Sequence, residues 1–297
     1  MRFRQLFIIM IAAILFLFTA CNQTPKQVPI VPIPDTVPAI AGNAEVRVLD
    51  IGKADVILVT AADKTVLIDV GESDDGGRIA NVLDSLEREH IDLMVITHFD
   101  RDHVGGYMRI VERLPVGKIY YPNYRGTRDE CVAFYDDLET SQRDAMAVTE
   151  NISVTLGELY IEISPTKSIE YVTDAEHKRD NDNDMSLLIS VWHGENRLLF
   201  AGDAEDARLR EILNSNTNLR STFLKVPHHG NLNGYSKNFL SAVHPVYAII
   251  CDSKKNPANE TILSLLNSMK TEVMCTRDGD ITLVSDGKTL TMTQGKI

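Results

Sequence analysis

The amino-acid sequence predicts an α/β fold, a four-layer αββα sandwich in which two β-sheets face each other and helices cover their outer sides. Two observations support this fold class. Short runs rich in Val, Ile and Leu alternate with amphipathic helical patterns in both halves of the chain. In addition, several of these apolar runs stop at Asp or His residues. The predicted strand ends therefore place polar side chains along one edge between the sheets.

The first 21 residues are typical of a secretory signal peptide. Arg2 and Arg4 precede an apolar run over residues 6–18, and small residues stand before Cys21. The segment resembles a lipobox, so we expect Cys21 to carry lipid and to anchor the protein to the bacterial cell envelope; an uncleaved anchor is the alternative. Residues 22–42 contain several Pro, Gln, Thr and Val without a periodic pattern. They are predicted to form an extended tether.

Charge and cysteine content exclude two classes of protein. The chain has 30 Lys plus Arg and 42 Asp plus Glu, a net charge of −12, which excludes a nucleic-acid-binding protein with a general basic face. Cys131, Cys251 and Cys275 lack C-x-x-C spacing, which excludes a zinc cluster and leaves buried thiols or at most one disulfide. Residues 43–297 contain no second linker and are predicted to form one domain.

The amino-terminal half begins with three apolar runs that predict an antiparallel meander, followed by an amphipathic helix and a further strand. The meander covers residues 44–50, 55–60 and 65–70, the helix 78–90 and the strand 92–97. Later helices are predicted over residues 107–114 and 128–140, and strands over 118–121 and 159–163. In the helix over 128–140, we expect Val132, Tyr135 and Leu138 to face inward.

The carboxy-terminal half alternates in the same way after a polar segment, residues 173–184, that is predicted to be a loop. Strands are predicted over residues 186–192, 197–201, 222–226, 247–251, 272–276, 281–285 and 289–293, and helices over 205–213, 236–243 and 260–269. The first two of these strands should form a hairpin across the turn at residues 193–196.

The most informative stretch is T-H-F-D-R-D-H-V-G-G, residues 97–106. It directly follows an apolar strand and contains four potential metal ligands, His98, Asp100, Asp102 and His103. Imidazole and carboxylate groups crowded at a strand end need a compensating charge, and divalent cations bind both kinds of group. The stretch therefore predicts a metal site, and a solvated polar loop is the alternative.

Other strands end in side chains of the same kind. Residues 198–202 lead to Asp203, and residues 222–226 lead to Pro227-His228-His229. We expect at least one histidine of this pair to join the metal site, because the pair follows two earlier ligand clusters at strand ends. Asp69 also ends a strand, where it either caps the turn or lies next to the metal.

These residues resemble the metallo-β-lactamase fold, whose motif is His-x-His-x-Asp-His with a later Asp and a final His. They are more similar still to the hydrolase domain of ComEC-type bacterial competence proteins, in a stand-alone lipoprotein form. Seven blocks in the same order support this resemblance: V-L-D-I-G-K-A-D-V-I-L-V from Val48, V-L-I-D-V-G from Val66, T-H-F-D-R-D-H-V-G-G from Thr97, N-D-M-S-L-L-I from Asn183, L-L-F-A-G-D from Leu198, L-K-V-P-H-H-G from Leu224 and D-G-D-I-T-L from Asp278.

The resemblance implies a hydrolase that binds one or two Zn²⁺ or Mn²⁺ ions. It implies that His98 and Asp100 bind one ion, that Asp102, His103 and either His228 or His229 bind the second, and that Asp203 lies between them. It further implies catalytic roles for Asp102 and Asp203 and a near-site role for Asp69. The sequence departs from the pattern at two places. Residues 183–186 offer no third histidine for the first ion, and Asn256-Pro257 replaces a His-Pro pair.

The substrate expected from this ligand set is an anionic phosphodiester, with DNA as the leading candidate. Asp100 in place of a histidine makes Mn²⁺ a rival to Zn²⁺, and three carboxylates bound to two divalent ions would leave a net positive charge. Four lysines near the late loops are candidates for phosphate contacts, with scattered solvated lysines as the alternative: Lys225, Lys237, Lys254 and Lys255. The alternatives are a hydrolase of envelope phosphoesters such as phosphorylcholine or teichoic acid, and a binding protein with a degenerate metal site. No protein partner is evident.

Overall fold

The computed structural model describes residues 33–174, 179–215 and 217–295. The predicted signal peptide, the lipid attachment at Cys21 and most of the predicted tether lie outside these residues. Within the described ranges, none of the helices combines the length and the apolar character needed to cross a membrane.

One β-sheet has eight strands and combines the beginning, the middle and the end of the chain. Its strands are β1 (Ala44–Val48), β2 (Ile57–Ala61), β3 (Lys64–Ile68), β4 (Ile91–Val95), β5 (Val116–Pro122), β6 (Ala145–Val148), β16 (Asp280–Ser285) and β17 (Leu290–Gly295), in the order β17-β16-β1-β2-β3-β4-β5-β6. The predicted meander β1–β3 is antiparallel, and the strands from β3 to β6 are parallel.

The second sheet has seven strands. They are β7 (Ile152–Leu156), β8 (Leu159–Ser164), β11 (Leu188–His193), β12 (Asn196–Phe200), β13 (Phe223–Lys225), β14 (Tyr247–Ile250) and β15 (Glu272–Cys275), in the order β15-β14-β13-β12-β11-β8-β7. The predicted hairpin is formed by β11 and β12, and the strands from β12 to β15 are parallel.

Helices cover the outer side of each sheet. Those next to the eight-stranded sheet are α1 (Gly76–Ser85), α2 (Arg101–Val104), α3 (Tyr107–Val111) and α4 (Asp129–Ser141), and those next to the seven-stranded sheet are α5 (Asp206–Asn214), α6 (Ser236–Val243) and α7 (Glu260–Ser268). A third apolar cluster lies between the sheets. The predicted four-layer αββα architecture is therefore confirmed.

The alternation of side chains along a strand explains why the central strands are almost continuously apolar. Neighbouring residues point to opposite faces of a sheet. Val59 of β2 packs between the two sheets, whereas the preceding Leu58 packs against the helices. Each face of β2 is covered, so each of its five residues is buried.

Helix α4 agrees with the prediction for Tyr135 and Leu138, which pack against the apolar cluster under the helices, but not for Val132. Val132, expected to face inward, has 47% of its surface exposed, whereas Cys131 and Phe134 are fully buried. The ring of Phe134 lies with centroid distances of 4.7 Å from Tyr107 and 5.2 Å from Phe99. This aromatic cluster, contributed by separate segments, fixes the rotation of the helix about its axis.

Two further differences concern short elements. Strands β6 and β7 were not predicted, because neither has a long apolar run. The segment predicted as a loop, residues 173–184, instead contains a two-residue strand pair, β9 (Thr173–Asp174) with β10 (Arg179–Asp180). Cys131, Cys251 and Cys275 are buried free thiols, so the possible disulfide among them is absent.

Gly106 is a point where two backbone segments come too close for any side chain. A Cβ atom at this position would lie 2.0 Å from the carbonyl oxygen of Val70. We therefore expect Gly106→Ala to lower the free energy of unfolding by about 1–3 kcal/mol, measured by urea denaturation. Gly77→Ala is the control, because a Cβ there meets no atom within 4 Å. Its helical position predicts unchanged or slightly raised stability; equal stability of the two variants would contradict the packing described.

Candidate metal centre

Four strand ends bring the candidate ligands together. Asp69 follows β3 and His98 follows β4 in the first sheet, while Asp203 follows β12 and His229 follows β13 in the second. The backbone joins the two sheets at this edge, since the Leu187 N–H donates to the Thr97 carbonyl at 3.0 Å. The topology thus brings side chains from four distant sequence positions into one cluster.

Asp69 lies behind the cluster. It contacts His103 directly and His98 through Thr97. Its Oδ1 accepts from the Thr97 backbone N–H at 2.7 Å, and its Oδ2 accepts from the Thr97 hydroxyl at 2.8 Å. The same Oδ2 lies 2.7 Å from His103 Nδ1. Asp69 is fully buried and has a left-handed backbone with φ of 56°. These contacts fix the orientation of the His103 ring.

Three imidazole rings offer the same nitrogen atom to the cluster. The Nδ1 atoms are occupied elsewhere: His98 Nδ1 lies 3.1 Å from Thr97 Oγ1, His103 Nδ1 contacts Asp69, and His229 Nδ1 lies 3.1 Å from the Cys251 carbonyl oxygen. The Nε2 atoms of all three rings remain for the cluster. Metal-binding histidines in proteins are commonly held by such contacts through their other ring nitrogen.

Two carboxylates complete the cluster. Asp203 Oδ2 lies 2.7 Å from His229 Nε2 and 3.3 Å from His103 Nε2. Asp102 Oδ2 lies 3.4 Å from His229 Nε2. Two overlapping groups of ligand atoms result, His98 with His103 and Asp203, and Asp102 with His103 and His229.

The surroundings keep the carboxylates charged. Burial raises the pKa of Asp203, but His229, His103 and Lys225 outweigh burial and hold that pKa well below its usual value. Burial likewise acts against ionisation of Asp102, whose pKa is nevertheless lowered by His229 and His103. Both groups are therefore ionised at neutral pH and available as ligands.

The histidines respond to the same charges in two ways. Burial and the neighbouring His103 lower the pKa of His98 well below its usual value, so its ring is neutral. Burial also lowers the pKa of His229, but Asp203 and Asp102 reverse this effect and raise the pKa to about 9. A proton on His229 would balance part of the negative charge of Asp203 and Asp102.

Buried polar atoms without a hydrogen bond test whether a metal ion fits here. Among the described residues, such atoms include Nε2 of His98, His103 and His229 and Oδ2 of Asp102. His229 Nε2 and Asp102 Oδ2 each have one charged neighbour at 2.7 Å, Asp203 Oδ2 and Lys53 Nζ, respectively. A buried polar atom without a hydrogen bond is unusual in a folded protein, because it costs desolvation free energy. All four belong to the two ligand groups, so the donor set fits a divalent cation.

Two of the predicted ligands point elsewhere. Asp100 Oδ1 lies 3.0 Å from Arg128 Nη2, and its Oδ2 comes no closer than 3.9 Å to His98 Nε2. His228 Nδ1 lies 3.0 Å from Glu205 Oε1. Of the adjacent histidines, His229 is the one that the structure brings into the cluster.

A glycine allows Asp203 to approach the opposite sheet. Gly202 has a φ of 52°, and a Cβ there would lie 2.8 Å from both Ser186 Oγ and Thr97 Oγ1. The Asp203 N–H donates to Ser186 Oγ at 3.1 Å. Ser186 lies in the segment that offers no third histidine. Its hydroxyl supports Asp203 by accepting the hydrogen bond from the Asp203 backbone.

Asp55, Lys53 and Arg128 were missed as site residues. Asp55, which is 1% exposed, contacts Lys225, and Lys53 Nζ lies 2.7 Å from Asp102 Oδ2. An isolated Asp within the apolar stretch from Ala54 to Ala61 was the sequence feature that could have identified Asp55, because buried carboxylates need partners.

The lysines predicted to contact phosphate differ in their exposure to solvent. Lys225 is completely buried, and this rules out the predicted phosphate contact in the structure described. Lys237, Lys254 and Lys255 are exposed. Asn256 is also exposed, in a turn closed by backbone hydrogen bonds with Ser253.

The two adjacent histidines provide a direct test of this geometry. We expect His229→Ala to weaken Zn²⁺ or Mn²⁺ binding by at least about 100-fold, because it removes a buried ligand. His228→Ala is the matched control and should bind within about threefold of the wild type, since His228 faces Glu205. Isothermal titration calorimetry measures both affinities. Loss of binding in His228→Ala with retention in His229→Ala would contradict the arrangement.

Comparison with known proteins gives relatives for most of the chain. Recombination protein 2 of Haemophilus influenzae is 31% identical over 217 residues, which cover 72% of this chain and 25% of that protein. Competence protein ComA of Neisseria gonorrhoeae is 28% identical over 230 residues, covering 75% of this chain and 29% of that protein. The chain thus spans less than a third of the length of these relatives.

A solved structure has a similar fold. The metallo-beta-lactamase fold protein YhfI from Bacillus subtilis has a TM-score of 0.52 and 11% sequence identity, covering 86% of this chain and 100% of that chain. The sequence family described as the metallo-beta-lactamase superfamily matches residues 49–251. The chain therefore belongs to the metallo-beta-lactamase superfamily, and its predicted resemblance to bacterial competence proteins is confirmed.

Proposed function

We propose that this chain is a metal-dependent hydrolase of phosphodiesters, with DNA as its substrate. The observation that supports this most is the pairing of a metal-binding cluster with exposed cations. Lys53 and Arg128 each expose about two fifths of their side chains. They contact Asp102 and Asp100, respectively, at the edge of the cluster.

His98, His103, His229, Asp102 and Asp203 are the residues that would hold the metal. Imidazole nitrogen suits Zn²⁺, while the carboxylates also suit Mn²⁺. When bound, one or two divalent cations supply Lewis-acid chemistry and positive charge toward a phosphoryl group. The low pKa of Asp102 keeps its carboxylate ionised, so it can orient a water molecule by accepting a hydrogen bond.

The exposed cations explain how an acidic protein would bind an anionic substrate. The net charge of −12 gives no general attraction for phosphate. Lys53 and Arg128 instead place two positive side chains at the edge of the cluster, next to Asp102 and Asp100, respectively. The planar guanidinium of Arg128 can bind two phosphate oxygens at once, and Lys53 offers a compact charge. Substrate binding would therefore depend on a few local contacts.

The names of the relatives favour DNA over other phosphodiesters. One relative is a recombination protein and another a competence protein. An enzyme acting on envelope phosphoesters, such as phosphorylcholine or teichoic acid esters, is the second candidate, and the lipobox-like segment ending at Cys21 favours it. A binding protein with a degenerate metal site would have the same fold without hydrolytic activity.

Hydrolysis assays on two substrates test the proposed activity. We expect the wild-type chain with Mn²⁺ to cleave plasmid DNA and bis-p-nitrophenyl phosphate, and Asp102→Ala with Asp203→Ala to lose at least about 100-fold in kcat/KM. Lys53→Met should raise KM about 10-fold with little change in kcat, because it removes a contact to the substrate's charge.

Lys288→Met is the control for these assays, since Lys288 is an exposed lysine in the turn between β16 and β17 that contacts none of the ligand carboxylates described. It should have wild-type kinetics. Full activity in the double aspartate variant would refute the site. Cleavage of the small diester and of teichoic acid, but not of DNA, would favour the envelope substrate instead.

We further propose that lipid on Cys21 anchors the enzyme to the cell envelope. Replacement of the cysteine removes the thiol that would accept the lipid, so Cys21→Ser should move the protein from the membrane fraction to the soluble fraction. Immunoblots of fractionated cells measure this distribution, and Cys131→Ser is the control because that thiol is buried in the fold. Membrane retention of Cys21→Ser would refute lipid anchoring and favour an uncleaved apolar anchor.

A further inference from the structure

Lys225 is a lysine in a position where charged side chains are rarely found. It ends β13, a central strand of the seven-stranded sheet, and has no exposed surface. Its ammonium group lies 3.0 Å from the Gly202 carbonyl oxygen and 3.1 Å from Asp203 Oδ1, and it also contacts Asp55 Oδ2. An ammonium has three N–H donors. Each of them thus has an acceptor in the fold.

Asp55 reaches the same place from the opposite sheet. It precedes β2 and is 1% exposed. Its backbone N–H donates to the Asp102 carbonyl at 3.1 Å, and its Oδ1 lies 3.7 Å from His229 Nδ1. The Asp55–Lys225 pair therefore connects the two sheets directly behind the metal-binding cluster.

The position of Lys225 determines how Asp203 presents its carboxylate. Asp203 Oδ1 is engaged by the ammonium, whereas Oδ2 faces His103 and His229. Asp55 also belongs to two groups of possible ligand atoms, one with Asp203 and His229 and one with Asp69 and His103. The ammonium lies against Asp55 Oδ2, so the positive charge at that position is already supplied by the chain.

We propose that Lys225 is a positioning residue of the metal centre: with Asp55 as its partner, it fixes Asp203 so that only Oδ2 is offered to a metal ion. The proposal rests on the metal centre inferred above and adds a role for two residues that would not contact the ion. Burial opposes the charge on Lys225, but Asp55 and Asp203 outweigh burial and raise the pKa of Lys225 above its usual value. Lys225 and Asp55 thus form an ion pair inside the fold.

Because Lys225 and Asp55 have opposite charges, a double variant can remove both side chains' charges together. Removing Lys225 alone would leave Asp55 as a buried charge without a counter-ion and would destabilise the fold. Lys225→Met combined with Asp55→Asn removes both charges, so the total charge around the cluster does not change. An effect of this double variant on metal affinity then reports on the position of Asp203.

We expect the double variant to bind Zn²⁺ and Mn²⁺ about 10–100-fold more weakly than the wild-type chain, the range found when a residue supporting a metal ligand is removed. Calorimetry measures the affinities, and urea unfolding with chelator present measures stability. The visible absorption of bound Co²⁺ should also change, because it reports the geometry of the ligands. Wild-type affinity and an unchanged Co²⁺ spectrum would overturn the proposal.

A matched control uses another buried carboxylate with a cationic partner. Asp137 and Arg143 form an ion pair at 2.5 Å at the end of α4, on the outer side of the other sheet. Asp137→Asn with Arg143→Met should leave metal affinity within about twofold of wild type, whatever it does to stability. A loss equal to that of the Lys225 variant would mean that affinity follows stability, and would overturn the positioning role.

A second variant decides the question if the methionine pair does not fold. Lys225→Gln with Asp55→Asn retains an N–H donor for Asp203, and we expect it to bind the ions about 3–10-fold more weakly than wild type. A loss of more than about 100-fold in this folded variant, despite the retained donor, would overturn the proposal. Absence of metal binding by the wild-type chain would overturn the metal centre itself, so the two failures are distinguishable.

Discussion

Buried negative charge at the shared edge of the two sheets is the constraint on which the rest of this structure depends. The carboxylates concerned, each at most 6% exposed, are those of Asp55, Asp69, Asp102 and Asp203. Burying ionised carboxylates is costly unless cations or hydrogen-bond donors surround them. The chain provides Lys225 and the histidines, and the neighbouring Asp203 and Asp102 raise the pKa of His229. A divalent cation would meet the same requirement with the histidines neutral.

The fold orients the ligands through contacts that their side chains make on the side away from the cluster. Asp69 and the Cys251 carbonyl hold the Nδ1 atoms of His103 and His229, and Lys225 holds one oxygen of Asp203. These partners come from both sheets, so the ligand geometry depends on how the sheets pack. The apolar cluster between the sheets thereby supports the site at their edge as well as the fold.

Much of this could be predicted from local sequence. Apolar runs that stop at Asp203 and at His228-His229 predicted both the strands and the polar residues at their ends, and the fold class followed from the alternation of strands and helices. The pairing of Asp100 with Arg128 could not be predicted, because it depends on the path of a loop. The contact of Asp55 with Lys225 joins residues 170 positions apart, on different sheets. Rotation of α4 about its axis was set by aromatic rings from other segments, so Val132 was assigned to the wrong side.

The same geometry distinguishes residues that would bind a metal from residues that would shape its surroundings. Three imidazoles and two carboxylates form two overlapping ligand groups. Asp69, Asp55 and Lys225 lie behind these groups, and Lys53 and Arg128 lie beside them. The central claim is that the five residues of the ligand groups form a divalent-cation site. Elemental analysis of the full chain, purified from cells without chelator, tests this most directly. The account predicts one or two Zn²⁺ or Mn²⁺ ions per chain; a folded chain that contains neither ion and takes up neither when it is added would contradict it.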